Sequence, residues 1–292
     1  MPDFSNIEGG SRFATYGVAY TFGSPPANGY LGKTTWQVSG TAHTKGAWQE
    51  IVASTDFETQ ALFIHIGPTA NNNRDCLVDI GVGPEGSEVP IVENLYYCQG
   101  VRPREENYYI PISVPVGTRL SVRAQLNLDS SPTLGVQLSI TIASQSLGAS
   151  QPLSRCVTYG ANPSDTGGTG VDCNQNDYTP LVFGPWSEIS PATSTPIKAM
   201  AVAIGSQGVA RTSACTFWMD IGIGEAFNEV PLIQKLILEN YGANAITQPM
   251  IPLHFVPLDL PAGVRLVARA MQNKDDGVVA EQKFDVILYT FC

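Results

Sequence analysis

Two aspartates recur in nearly the same sequence context, and paired carboxylates are the groups that acid–base catalysis often uses. Asp79 lies in the segment VDIG and Asp220 in the segment MDIG. Each aspartate belongs to its own half of the chain, and nothing in the sequence brings the two carboxylates to one cleft. The recurrence therefore favours a structural role for each aspartate over a shared catalytic site.

Each aspartate is followed along the chain by a strand-like segment with two arginines. These are Arg119 and Arg123 in TRLSVRA, and Arg265 and Arg269 in VRLVARA. Because side chains alternate along a strand, both arginines of a pair lie on one face. We predict that one arginine of each pair forms a charge-assisted hydrogen bond with the aspartate of the same half and so ties two strands together.

Other catalytic or ligand-binding signatures are missing from the sequence. No nucleophile elbow, zinc-protease motif, P-loop, dinucleotide-binding fingerprint or CxxC pair occurs. His65 falls in the middle of a strand-like run, and His43 and His254 have no acidic or cysteine neighbours in sequence. The sequence therefore predicts no catalytic residue, no metal site, no cofactor and no enzymatic activity.

Tryptophans occupy equivalent positions in the two halves, Trp48 in GAWQEI and Trp186 in GPWSEI. Exposed tryptophans can stack on sugar rings, but large aromatic side chains more often fill the cores of sandwich domains. We therefore expect both tryptophans to lie in a core. Trp36 and Trp218 have no equivalents, so their roles stay open.

The six cysteines are expected to be thiols, because the N-terminal residues do not resemble a secretory leader. Cys76 and Cys215 precede the recurring aspartate segments, which predicts that they are buried rather than bonded to each other. Cys156 and Cys173 are the candidate disulfide if the protein meets an oxidising exterior.

Four segments of the first half return in the same order about 140 residues later. GAWQEI returns as GPWSEI, ALFIHIG as AMAVAIG, VDIGVGPEGSEVP as MDIGIGEAFNEVP, and PVGTRLSVRAQ as PAGVRLVARAMQ. An ordered set of four matches indicates a tandem duplication.

The apolar runs within each repeat are short, β-branched and often alternate with polar residues, as in QLSITI and FDVILY. They predict an all-β protein of two tandem antiparallel β-sandwich domains, jelly-roll-like and of the same topology. The predicted divisions are an extended N-terminal arm at 1–35, a first sandwich at 36–145, a Gly/Asn/Asp-rich linker at 146–179 and a second sandwich at 180–292.

The N-terminal arm holds too few apolar residues to form its own core, yet more than a solvated tail needs. We expect this arm to become ordered on a partner, through the large side chains Phe4, Phe13, Tyr16, Tyr20 and Phe22.

The net charge is −10, and the 16 basic residues are scattered, so direct nucleic-acid binding is not expected. No segment approaches the ~20 consecutive apolar residues of a membrane span, which predicts no membrane association. Together with the N-terminal residues, this predicts that the chain is made in a cytoplasm.

The ordered segments HTKGAWQEI, VDIGVGPEGSEVPIVENL and IPISVPVGTRLSVRAQ resemble a module of virion structural proteins of tailed bacteriophages. The resemblance implies a β-sandwich used in virion assembly without catalysis. Taken together with the acidity of the chain, it leads us to expect a homo-oligomer on the outer surface, as a head-decoration or neck- or tail-attached protein, that docks on other virion subunits. The second repeat lacks the lead-in HTKGAW, so no role of His43 or Lys45 is expected there. A receptor- or carbohydrate-binding module of a tail fibre or tail tip, which would bind a host-surface glycan, is the alternative.

Overall fold

The computed structural model describes residues 19–22, 34–67, 75–98, 106–127, 135–144, 153–164, 166, 169–172, 180–204, 215–240, 256–273 and 283–292. The elements within these ranges are β-strands arranged in three sheets. No helix in the described part of the chain is long and apolar enough to cross a membrane.

The first repeat consists of nine strands. Their bounds are β1 (Ala19–Phe22), β2 (Thr34–Gln37), β3 (Gln49–Val52), β4 (Ala61–Gly67), β5 (Asp75–Val82), β6 (Val89–Cys98), β7 (Glu106–Ile110), β8 (Leu120–Leu126) and β9 (Gly135–Ala143). One sheet has the order β1–β9–β4–β7, and β2 follows β1 along the edge of β9. The strands of the opposite sheet are ordered β3–β8–β5–β6.

The second repeat consists of nine strands in an equivalent arrangement. Their bounds are β10 (Cys156–Tyr159), β11 (Thr169–Asp172), β12 (Ser187–Ser190), β13 (Ile197–Ile204), β14 (Cys215–Ile223), β15 (Val230–Asn240), β16 (Val256–Leu260), β17 (Leu266–Gln272) and β18 (Lys283–Phe291). One sheet contains β10–β18–β13–β16, and β11 follows β10 along the edge of β18. The opposite sheet has the order β12–β17–β14–β15.

Both repeats therefore have the strand order of a jelly roll, with two facing sheets of four strand positions each. In both, the first strand position is divided between two four-residue pieces, β1 with β2 and β10 with β11. The all-β, jelly-roll-like class predicted from the sequence is confirmed. The shared division of the first strand is a further sign of duplication that the sequence pattern did not reveal.

One continuous sheet joins the two jelly rolls. β10 runs parallel to β6 through the pair Cys156 and Val92, so that β3–β8–β5–β6 continues into β10–β18–β13–β16. β18 is buried on both faces, because Val286 packs in the second core while Tyr289 packs against the first. Burial on both faces suits its nearly continuous apolar run.

The predicted arm and linker are corrected wherever the structure describes them. Residues 19–22 and 34–35 of the arm lie in β1 and β2, which pair with β9. Residues 156–159 and 169–172 of the linker lie in β10 and β11, which pair with β18. Each segment satisfies the open edge of the last strand of its repeat. Four-residue strands carry too little periodicity for a sequence pattern to identify them.

The predicted partner-binding side chains are likewise partly corrected. Phe22 is half-buried and packs against the core of its own jelly roll. The backbone of Tyr20 pairs with Ile142 in β9. The other three, Phe4, Phe13 and Tyr16, lie outside the described residues.

Candidate functional site

Asp79 is the buried centre of a polar cluster on β5. Arg123 lies directly opposite on β8, and its Nε donates a hydrogen bond of 2.7 Å to Oδ2 of Asp79. Oδ1 accepts a hydrogen bond of 2.8 Å from the main-chain N–H of Asn94 and one of 2.7 Å from Nζ of Lys45. Both carboxylate oxygens are therefore engaged within the first jelly roll.

Asp220 is the centre of the equivalent cluster on β14. Arg269 lies opposite on β17, and its Nε and Nη2 lie 2.9 Å and 2.8 Å from Oδ2. The main-chain N–H of Lys235 donates a hydrogen bond of 2.9 Å to Oδ1. Phe183 stands at the sequence position of Lys45, and the guanidinium carbon of Arg269 lies 4.5 Å from its ring centroid. The second cluster thus keeps the carboxylate and the arginine but has no lysine there.

Each aspartate binds the backbone of a β-bulge. The register between β5 and β6 shifts at Asp79, and the register between β14 and β15 shifts at Asp220. Asn94 and Lys235 have positive φ values of 52° and 54° at these bulges. A bulge leaves a backbone N–H without a ladder partner, and the carboxylate satisfies that donor.

Each of these arginines also stacks on a tryptophan. The guanidinium carbon lies 4.4 Å from the ring centroid in both pairs, Arg123 over Trp48 and Arg269 over Trp186. Both indoles are half-buried, on the sheet face opposite the core. Our expectation that they fill a core is therefore wrong, because arginine and glycine neighbours enclose them outside it. Trp36 is buried, whereas Trp218 is half-buried on β14.

Glycine makes room for each tryptophan. A Cβ atom added at Gly81 would lie 2.8 Å from Cη2 of Trp48, and one at Gly222 would lie 2.8 Å from Cη2 of Trp186. These glycines follow the aspartates in VDIG and MDIG, so one recurring motif supplies both the carboxylate and the space for the indole.

The first arginine of each predicted pair binds glutamates instead. Nε of Arg119 donates to Glu50 at 2.9 Å, and Nη1 donates to Glu88 at 2.9 Å and to the carbonyl oxygen of Gly83 at 3.1 Å. The hydrogen bond to Glu50 raises the pKa of Arg119 against the effect of desolvation. The equivalent contacts join Arg265 to Glu188 at 2.7 Å, Glu229 at 3.2 Å and the carbonyl of Gly224 at 2.9 Å.

Lys45 adds a charge that only the first cluster has. Its Nζ also donates a hydrogen bond of 3.0 Å to the carbonyl oxygen of Leu77. Burial lowers the pKa of Lys45, and its attraction to Asp79 offsets this only in part. Desolvation therefore outweighs the ion pair for this side chain.

A threonine that the sequence pattern did not reveal binds the segment before β8 in the first repeat, and an equivalent threonine binds the segment before β17 in the second. The main-chain N–H of Thr55 donates to the carbonyl of Thr118, and the hydroxyl of Thr55 accepts from the main-chain N–H of Thr118 and donates to the carbonyl of Pro115. Thr193 makes the equivalent bonds with Val264, and its hydroxyl donates to the carbonyl of Pro261. These threonines lie outside the four matched segments, so the sequence carried no strong signal for them.

The histidines do not converge on one site in the described residues. Nδ1 of His43 lies 2.8 Å from the hydroxyl of Thr166, and His65 contacts Asn107 across β4 and β7. His254 lies outside the described residues. Within the described ranges, no three His, Cys, Asp or Glu side chains are grouped as metal ligands would be.

The structure contains no disulfide at the predicted position. Cys156 is a free and fully buried thiol, and burial raises its pKa. Cys173 lies outside the described residues.

Cys76 is a buried thiol that takes part in no disulfide. Cys215 takes the equivalent backbone position at the start of β14, and its side chain lies outside the described set. The expectation that both are buried is therefore tested for Cys76 alone.

Comparison with known proteins identifies no family. No protein-family model matches the chain, and no curated protein matches it. Among solved structures, the chain is similar to the STIV MCP, a viral major capsid protein, at 10% identity and a TM-score of 0.33, over 94% of this chain and 96% of that one. It is also similar to PNGF-II at 9% identity and a TM-score of 0.35, over 93% of this chain and 65% of that one. At these values the comparisons carry no argument about function.

Proposed function

We propose that this protein is a non-enzymatic structural component of a tailed-phage virion, placed on the outer surface as a head-decoration or neck- or tail-attached protein. The observation that carries the proposal is the state of the two recurring carboxylates. The side chains of Asp79 and Asp220 are only 3% and 4% exposed, and each binds an arginine and a bulge N–H. A catalytic carboxylate must reach its substrate, whereas these fasten strands in both repeats alike.

Two further features support a building block on the particle exterior. A shared sheet joins the jelly rolls through β6 and β10, so both repeats belong to one folded unit. The net charge of −10 would be repelled by packaged DNA, which favours the outer surface over the interior. The proposed partners are other virion subunits and further molecules of the same chain.

Purified particles test this proposal directly. We expect the protein to stay with particles through gradient purification, at a stoichiometry set by particle symmetry, and to appear on their exterior in a reconstruction. Antibody labelling of intact particles should reach it without disruption. Absence from purified particles would refute the proposal. So would a hydrolytic activity that Asp79→Asn abolishes without changing stability.

The alternative of a glycan-binding module has one supporting observation. Phe63 on β4 and Tyr109 on β7 are half-buried, and their ring centroids lie 5.1 Å apart on the outer sheet face of the first jelly roll. The tryptophans offer less, because Arg123 and Arg269 already cover them. Glycan-array binding that Tyr109→Ala abolishes would favour this alternative. The proposed function predicts no glycan binding.

A further inference from the structure

The outer edges of β6 and β15 occupy the same place in the two jelly rolls but differ in what covers them. β6 pairs on one side with β5 and on the other with β10. β15 pairs with β14, and within the described ranges no strand pairs with its other edge. With eleven residues, β15 is also the longest described strand. A long open edge presents unpaired N–H and C=O groups that favour pairing with another chain.

Side-chain burial follows the same difference. Tyr96 on β6 is 2% exposed, and its main-chain N–H donates a hydrogen bond of 3.0 Å to the hydroxyl of Tyr289 in the second jelly roll. The register places Ile237 on β15 at the equivalent position, and Ile237 is 54% exposed. An apolar side chain thus remains uncovered where its counterpart is buried by the neighbouring jelly roll.

β10, which covers β6, has its equivalent in β1. Within the described residues β1 pairs with β9 and with no second strand. β10 and β1 hold the same place in their jelly rolls, since Cys156 pairs with the last residue of β18 and Ala19 with the last residue of β9. Cys156 is fully buried against β6, whereas Ala19 and Thr21 are exposed. The first jelly roll therefore presents an exposed strand of the kind that β6 binds within the chain.

We propose that the outer edge of β15 binds β1 of a second molecule of this chain, in the way that β6 binds β10 within one molecule. The proposal deepens the proposed function by naming the surface through which its homo-oligomer forms. In this contact Ala19 of one molecule lies opposite Ile233 of the other, as Cys156 lies opposite Val92.

The contact between β6 and β10 within one molecule is called the internal joint. Two of its interactions show what the proposed contact between molecules would keep and lose. The hydroxyl of Thr158 donates to the carbonyl oxygen of Glu93, and the side chain of Arg155 pairs with that of Glu93. Thr21 is equivalent to Thr158 and is exposed. Its hydroxyl lies 2.7 Å from that of Thr141, and with Thr141 as the donor of that bond it can still donate to the carbonyl of Gln234. Gln234 replaces Glu93 and therefore removes the ion pair.

The surrounding sheet face also differs between the two contacts. Tyr289 and Ala201 line the internal joint, and Thr141 and Phe63 hold their places in the first jelly roll. Thr141 lacks the phenol that accepts the main-chain hydrogen bond of Tyr96, whereas Phe63 is larger and more apolar than Ala201. Loss of the ion pair and of that hydrogen bond weakens the contact relative to the internal joint.

The bulge on β15 does not block this pairing. Lys235 has a positive φ and is exposed, and both bulges and lysines protect edge strands from pairing. β6 carries the same bulge at Asn94 and still pairs with β10 beside it. The exposed ammonium group of Lys235 can remain in solvent at the rim of the contact.

The contact uses different surfaces on the two molecules, so it is heterologous and repeats from one molecule to the next. A molecule whose β15 edge is blocked keeps a working β1, and a molecule with a blocked β1 keeps a working β15 edge. Two such variants should therefore bind each other although neither binds itself.

Light scattering coupled to size-exclusion chromatography tests the proposal on the full chain. We expect the wild type to form concentration-dependent oligomers, and Ile237→Asp and Thr21→Asp each to be monomeric. A mixture of these two variants should form dimers and stop there. Val116→Asp is the matched control, because Val116 is 62% exposed but lies in the loop before β8. This control should self-associate like the wild type.

A double variant, Ala19→Cys with Ile233→Cys, adds a positional test. Paired residues on neighbouring strands lie about 4.8 Å apart at their Cα atoms, which suits a disulfide. We expect oxidation to link this variant into a ladder of covalent oligomers, which either single variant fails to form. Circular dichroism on every variant checks folding.

A wild type that stays monomeric at all accessible concentrations would overturn the proposal. It would also be overturned if Ile237→Asp abolished association, Thr21→Asp did not and no Ile237→Asp molecule entered the Thr21→Asp dimers of the mixture, since two β15 edges would then pair symmetrically. Self-association by this route in a protein absent from particles would refute the proposed function and leave the present proposal standing.

Discussion

The main-chain N–H of Asn94 donates a hydrogen bond of 2.8 Å to Oδ1 of Asp79, fifteen residues earlier in the sequence. Asn94 has a positive φ at a bulge, so its N–H would otherwise face the sheet without a ladder acceptor. Arg123 holds the other carboxylate oxygen from the opposite side. One aspartate therefore fixes the register of three strands, and the same arrangement recurs around Asp220.

Removal of either aspartate should strongly destabilise its jelly roll. Asp79→Ala leaves Arg123 and a buried N–H unpaired, so we expect a loss of ~3–5 kcal/mol in the free energy of unfolding. Asp220→Ala should behave alike. Urea unfolding followed by circular dichroism and tryptophan fluorescence measures both. Asp259→Ala is the control, since the Lys198–Asp259 pair is exposed and should matter little. A loss at Asp79 as small as at Asp259 would contradict the structural role.

Replacement of Lys45 should have little effect on stability. Phe183 occupies its place in the second cluster, which keeps its aspartate and arginine together without a lysine. Burial lowers the pKa of Lys45, so charging it opposes folding below its unfolded-state value of about 10.5. We expect Lys45→Met to be no less stable than the wild type at neutral pH.

The pH dependence of this comparison has a defined sign. The folded state binds the proton on Lys45 less tightly than the unfolded state does, so the wild type gains stability relative to Lys45→Met as the pH rises toward 10.5. Parallel denaturant titrations at several pH values measure the difference. A wild type that is much the more stable at neutral pH would show that the ion pair outweighs desolvation.

A methyl group at Gly81 should displace Trp48. Its Cβ would meet the indole at 2.8 Å, so either the ring or the strand must shift, and we expect a loss of ~1–3 kcal/mol with a change in tryptophan emission. Gly170→Ala is the matched control, because its nearest contact is 3.6 Å away on the side chain of Asp285. Wild-type emission and stability in Gly81→Ala would show that the indole does not rest on this glycine.

The sequence predicted the duplication and the aspartate–arginine pairing, because both rest on short motifs that return in order. It did not predict β1 and β10, since four-residue strands leave no measurable period. Nor did it place Trp48 outside the core, because the stacking of Arg123 depends on which face of β8 meets solvent. The pairing of Lys45 with Asp79 was not predicted either, because the lysine does not recur in the second repeat, where Phe183 holds its place.

A glycine at the tip of the β14–β15 hairpin should increase the stability of the protein. Phe227 has a positive φ of 70° and is 98% exposed, whereas the first repeat places Gly86 there with a φ of 79°. Phe227→Gly removes backbone strain and loses almost no packing, so we expect a gain of ~0.5–1 kcal/mol. Ala226→Gly, next to it and without a positive φ, should instead be neutral or destabilising. Equal urea midpoints for the two variants would contradict this assignment.

Deletion of residues 1–22 should destabilise the first jelly roll, contrary to the expectation that the arm lies outside the fold. The deletion removes β1, which pairs with β9 from Ala19 to Phe22, and it takes away Phe22, which packs against the first core. The edge of β9 is then left open, and its backbone donors and acceptors lose their partners. We expect a lower melting temperature for the first jelly roll, measured by calorimetry. Adding Asp220→Ala to the deletion variant should lower the melting temperature of the second jelly roll and so identify its transition. Deletion of residues 1–18 retains every described residue and is the matched control, expected to melt like the full chain. If both deletions melted alike, β1 would contribute nothing to the fold, and the N-terminal segment would return to the role of a partner-binding arm.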